Sequence, residues 1–114
     1  MIKKTFFCTV SGAEDTVYTV PTGKRAEVAM MLFTNSGGSN GKLDVTYYHA
    51  EPDTDETILK DYLVEAENFK QLGGQANFFI AMKEGDKIKA DAESGKTFEV
   101  LLSVIEHNDL IQGG

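Results

Sequence analysis

The feature that most constrains this chain is an alternation of apolar and polar residues at period two, cut into short runs by glycine and proline. In "KLDVTYYHA", Leu43, Val45 and Tyr47 oppose Lys42, Asp44 and Thr46. In "DKIKADAE", Ile88, Ala90 and Ala92 oppose Lys87, Lys89 and Asp91, and in "KTFEVLLSVIE", Phe98, Val100, Leu102 and Val104 oppose Thr97, Glu99 and Ser103. Successive side chains of a strand point to opposite faces, so each run reads as a strand with one buried side. "KRAEVAMMLFTN" reads the same way, with Ala26, Val28, Met30 and Leu32 on one face. Its other face, Arg25, Glu27, Ala29, Met31 and Phe33, turns apolar toward the end, where the strand is expected to meet a second surface. "TFFCTV", "DTVYTV" and "ANFFIAM" are shorter runs rich in strand formers.

The breaks carry turn chemistry. Val20-Pro21-Thr22-Gly23 places Pro second and Gly fourth, the pattern of a type I turn. Proline cannot donate a ladder hydrogen bond, so a strand ends there and the chain redirects. "NSGGSNG" is a loose connection, and Glu84-Gly85-Asp86 and Ser94-Gly95-Lys96 are tight ones. Short strands with close turns predict an all-β protein: an antiparallel, jelly-roll-like β-sandwich of about eight short strands with little or no helix. With 114 residues, 41% of them hydrophobic, the chain is read as one domain over residues 1–114 with a core that needs no staples. Residues 1–4 and 107–114 are expected to be arms.

"DETILKDYLVEAENFKQLGG" departs from the pattern. Ile58, Leu59, Tyr62, Leu63, Ala66 and Phe69 fall on one helical face, Asp53 with Glu56 could form a capping box, and Gly73 follows as a C-cap candidate.

Charge and composition exclude several classes. Eighteen Asp and Glu outnumber 11 Lys and Arg, a formal net charge of −7, which argues against nucleic acid or an anionic membrane as partner. Cys8 is the only cysteine, so neither an intrachain disulfide nor a Cys-Cys zinc spacing exists; it reads as a small buried side chain. "MIKKTFF" lacks the apolar core of a signal peptide, and no run reaches the roughly 20 apolar residues of a membrane span. The expectation is a protein made in a cytosol.

Catalytic patterns are missing. His49 and His107 lack metal-ligand spacing and read as hydrogen-bonded or solvated side chains. "EPDTDE" holds four carboxylates but not the calcium-loop pattern, and reads as a solvated acidic loop. No nucleophile elbow surrounds a serine, and "GGSNG" is not a phosphate loop. Tyr47 and Tyr48 are adjacent on a strand, so one is expected in the core and the other on the surface. No catalytic residue, cofactor or metal is expected, and the chain does not read as an enzyme.

Taken in order, "YTVPTGKRAEV", "FTNSGGSNGKLDVTYY", "YLVEAENFKQLGG" and "MKEGDKIKADAESGKTFEVLLSVIE" resemble small β-sandwich structural proteins of tailed-bacteriophage virions. The likeness spans roughly Val17 to Glu106 and rests on turn and strand devices: Pro21 and Gly23 in the first turn, Gly85 and Asp86 in the later one. It implies two strands, near Thr57 to Val64 and Asn68 to Leu72, in place of the helix. It further implies a non-enzymatic virion component assembled in the host cytoplasm, foremost a capsid decoration protein on the outside of the major capsid protein shell. A tail or fibre component is the alternative, and a carbohydrate-binding attachment module a third, which would need Tyr18, Tyr47, Tyr48 and Tyr62 in an exposed row. The partners so implied are copies of itself, as a trimer, and other virion proteins. The expected interface residues are Lys24, Arg25, His107, Leu110 and Ile111.

Overall fold

A computed structural model describes residues 2–74 and 79–108. Nine strands form among them and no helix does: β1 (Ile2–Ser11), β2 (Glu14–Thr19), β3 (Lys24–Asn35), β4 (Gly41–His49), β5 (Thr54–Val64), β6 (Asn68–Gly73), β7 (Ile80–Met82), β8 (Lys87–Ala92) and β9 (Thr97–Asn108). All pairings are antiparallel, and they nest: β4 with β5, β3 with β6 and β7, β2 with β8, β1 with β9. This long hairpin folds over so that β9 also pairs with β3 and β8 with β4. The result is two sheets, β1-β9-β3-β6 with β7 beside β3, and β2-β8-β4-β5. Nested hairpin pairing closed into two packed sheets is jelly-roll architecture, as the alternation implied. Segments 57–64 and 68–72 are strands, as the resemblance implied, and not a helix. Ile2–Lys4 pair with Val104–Glu106, and His107 and Asn108 pair with Arg25 and Lys24, so these parts of the anticipated arms are rungs of the sheet.

The core lies between the sheets. Phe33, Phe98, Met31, Leu43, Ile88 and Leu102 are its largest fully buried apolar side chains. The inward faces of β4, β8 and β9 match the alternation, with Tyr47 buried and Tyr48 outside. β3 does not. Val28 pairs with Val104 but Met30 pairs with Ser103, so Ala29 is an extra residue in the ladder. A bulge shifts every later side chain to the other face. Ala26 and Val28 point inward as expected, but beyond the bulge Met31, Phe33 and Asn35 do, while Met30 and Leu32 turn outward.

Bulges also account for the helical look of β5. Leu43, Val45 and Thr46 of β4 face Tyr62, Leu59 and Thr57, so two extra residues interrupt β5 and erase its period of two. Asp61, with φ of 50°, sits at one of them and donates its amide to Asp44 Oδ1 at 2.7 Å.

The first turn differs in type from the expectation. Lys24 N donates to Pro21 O at 3.1 Å and Gly23, third in the turn, has φ of 79°. That is the type II arrangement, which requires a positive φ at the third position. Among the described residues three polar side chains are buried: Asn35, Asp86 and Glu106. Asn35 donates to Ser39 O and Val64 O, both at 3.0 Å, and accepts from Gly37 N at 3.0 Å, so it fastens the 36–40 loop to β5. Asn35→Ala leaves those buried groups unsatisfied and lowers unfolding free energy by about 2 kcal/mol, whereas Ser36→Ala changes it by less than about 0.5. Chemical denaturation of the two variants checks this.

Candidate functional site

The residues singled out in the sequence gather at one end of the sandwich. The Pro21–Gly23 turn and the Gly85–Asp86 turn lie side by side: Gly85 N donates to Val20 O, Val20 N to Asp86 O, and Gly23 N to Glu84 Oε1. Asp86 is the hub. Its carboxylate accepts from Ala50 N at 2.9 Å, from Lys83 N at 3.0 Å and from the Tyr47 hydroxyl. Burial and this carboxylate push the Tyr47 hydroxyl pKa well up, so it remains a donor. Lys24 Nζ donates to Asn108 Oδ1 at 2.6 Å, Arg25 is exposed, and His107 Nε2 lies 3.5 Å from Glu27. Leu110 and Ile111 lie outside the described residues.

Glu106 ties the two sheets together at this end. It is 1% exposed, accepts the Tyr18 hydroxyl at 2.7 Å across the core and sits 3.0 Å from Lys4 Nζ. Burial disfavours its charge, but the Tyr18 bond and Lys4 outweigh that and hold its pKa below the usual carboxylate range. A depressed folded pKa stabilises the fold above the unfolded carboxylate value, and that stabilisation is lost as pH falls through the folded one. Stability therefore drops on acidification below about pH 4.5, and the drop is shallower in Glu106→Gln than in wild type; thermal melts across pH 6 to 3 measure it, and equal slopes would contradict the assignment.

The acidic loop is engaged by its own neighbours. Asp53 accepts from the Tyr48 hydroxyl, Asp55 lies 3.0 Å from Lys89 Nζ, and Glu56 Oε1 lies 2.8 Å from His49 Nε2. No cluster of three or more His, Cys, Asp or Glu able to hold a metal occurs among the described residues. Burial raises the pKa of the half-buried Cys8 thiol, which works against a reactive thiolate. The tyrosines do not form a row: Tyr18 and Tyr47 are buried, and Tyr62 packs edge-on against Phe33. An open groove of about 1130 Å³ runs between the sheets beside β5, β6 and β7, with Met31, Leu59, Leu72, Ile80 and Met82 among its lining.

The more informative contrast is between the two outer faces. On the β2-β8-β4-β5 sheet the outside is charged and satisfied within the chain. Lys89 lies 3.0 Å from Asp55 and 3.7 Å from Glu14, Lys60 lies 3.2 Å from Asp44, and Lys87 and Lys89 both sit over the Tyr48 ring. The Asp61 amide, with Lys60, draws the Asp44 pKa down against a smaller opposing effect of burial, and the Asp55 bond raises that of Lys89.

On the β1-β9-β3-β6 sheet the outside is largely uncharged. Phe7, Leu101 and Leu32 stand in register across three strands, with Phe7 59% exposed. One row away Phe69, 57% exposed, stands beside Thr34; the row on the other side is Thr5, Ser103, Met30 and Gly73. Individual exposed apolar residues are ordinary, but a stripe across a sheet face marks a contact surface. The sequence carried a trace of it in the second apolar face of β3; the Ala29 bulge hid which residues form it.

No protein-family model and no curated protein sequence matches the chain. Among solved structures, a chain from the acidic stable capsid structure of Helicobacter pylori bacteriophage KHP30 superposes with a TM-score of 0.58 at 11% identity, over 95% of this chain and 94% of that one. A chain from Bacillus endospore appendages, described as a family of disulfide-linked pili, superposes with a TM-score of 0.52 at 13% identity, over 94% of this chain and 85% of that one. At such identities the likeness is one of fold.

Proposed function

We propose that this protein is a non-enzymatic structural component of a tailed-phage virion, foremost a capsid decoration protein seated on the outer surface of the major capsid protein shell. The observation that carries the proposal is the asymmetry of the sandwich: one outer face is charged and internally paired, the other neutral, striped with apolar side chains and uncovered. A face of that kind gains free energy only when another protein covers it. Support comes from the jelly roll held in common with a phage capsid chain and a pilus chain. The net charge of −7 suits the outside of a DNA-filled shell better than the inside, where cations would be favoured. The end of the sandwich bearing Lys24, Arg25 and His107 is proposed as a second contact, toward the shell. A tail or fibre position would use the same surfaces and differs only in location. The attachment-module alternative loses its support with the buried Tyr18 and Tyr47.

The test is add-back to particles that lack the protein. Wild type is expected to rebind at regular sites on the shell, seen by electron microscopy, and the Phe7→Asp/Leu101→Asp double variant to bind at least about tenfold more weakly, because two apolar contacts become buried charges. Density on the tail alone would move the role there, and no binding to any part of the particle would overturn the proposal.

A further inference from the structure

We infer that the neutral face of the β1-β9-β3-β6 sheet is covered by the same face of a second copy, related by a two-fold axis that lies in the contact and reverses the strand direction. The inference rests on the structural reading above and names the occupant of the face that carries it.

Four rows of outward side chains fit this operator. At one end of the sheet Lys3 stands beside Ile105 and Glu27; at the other, Glu99 stands between Thr9 and Thr34. The two ends are six residues apart along β9, about 20 Å. Neither Lys3 nor Glu99 has an ion-pair partner among the described residues, unlike Lys60 and Lys89 of the opposite sheet. Reversing the strands brings Lys3 of each copy to within one strand spacing of the other copy's Glu99, and the symmetry makes two such pairs. Glu27, on the other side of Ile105, comes as near to that Glu99 and carries His107 Nε2 at 3.5 Å.

Between the charged ends, the same operation lays Phe7 and Leu101 onto Thr5 and Ser103 and Gln71 onto Gly73, while Leu32 meets Met30. On three of the four strands a larger side chain then meets a smaller one, which favours close packing of two sheets. A two-fold along the strands would instead stack the bulky row of each copy on that of the other.

The size is adequate. Four strands across about eight rungs give a footprint of about 500 Å² per copy, so a pair buries about 1,000 Å², the lower limit of a specific interface. Two copies at −7 each repel, so they associate where local charge is least, and this face is that place. A contact of this area predicts a weak dimer, in place of the trimer implied by the resemblance.

Sedimentation equilibrium on the full chain tests the inference. Wild type is expected to dimerise, Lys3→Glu and Glu99→Lys each to weaken dimerisation by about tenfold, and Lys3→Glu/Glu99→Lys to recover wild-type affinity within about threefold. Both positions are exposed, so all variants fold, and circular dichroism verifies that. A dimer that both single variants weaken but the double variant does not recover would place the contact on a different operator and overturn the inference. A strictly monomeric wild type that still binds particles would remove the dimer and leave the virion reading standing; a dimer that binds no particle would do the reverse.

Discussion

The ladder between β3 and β9 governs the molecule. Both strands are 12 residues long, both lie inside the same sheet, and every other strand is placed by pairing with them or by packing on their inner faces. The single extra residue in that ladder, Ala29, decides what is core and what is surface. Its carbonyl accepts from Gly74 N at 2.9 Å, at the point where β6 gives way to β7 along β3. Because of it, Met31 and Phe33 fill the space between the sheets, and Met30 and Leu32 join Leu101 on the outside. A straight β3 would exchange the two sets and leave Met31 and Phe33 on the outside.

The two outer faces express two ways of living with water. On the β8 side Lys60, Lys87 and Lys89 answer a nearby carboxylate or the Tyr48 ring, so most of that charge is met within one copy. On the β9 side the charges sit toward the two ends, Lys3 and Glu99 without an ion-pair partner among the described residues, and the middle is uncharged. Surface ion pairs contribute little stability, so the charged face matters mainly for keeping one side soluble and unassociated. The neutral face carries the drive to assemble. Inside, Glu106–Tyr18 crosses from one sheet to the other and Asp86–Tyr47 ties the β7–β8 turn to β4.

Much of this was legible in the sequence, and the exceptions share one cause. Leu43, Val45 and Tyr47, Ile88 and Ala90, and Phe98, Val100, Leu102 and Val104 point inward as their alternation says, because the extra residues of their ladders lie in the partner strands β2, β3 and β5. The Pro21–Gly23 and Gly85–Asp86 turns occur where expected, although their mutual hydrogen bonds join residues some sixty positions apart and have no local signature. In β3 the alternation gives the wrong phase beyond Ala29, and in β5 it gives a helical period where the resemblance gives a strand, because bulges insert residues that no periodicity can register. In β5 two of them bring Ile58, Leu59, Tyr62 and Leu63 to a spacing that imitates a helix. The contact face was invisible for the same reason. Its members, Phe7, Leu32, Leu101 and Phe69, come from four strands and become neighbours only through register.

The central claim is that this one face is covered in the assembled state while the opposite face stays wet. Hydroxyl-radical footprinting of dilute against concentrated or particle-bound protein measures it directly. Phe7, Met30, Leu32 and Leu101 should become several-fold less reactive on assembly while Tyr48 keeps its reactivity. Equal protection of Tyr48, or unchanged labelling of Phe7 and Leu101, would contradict the account.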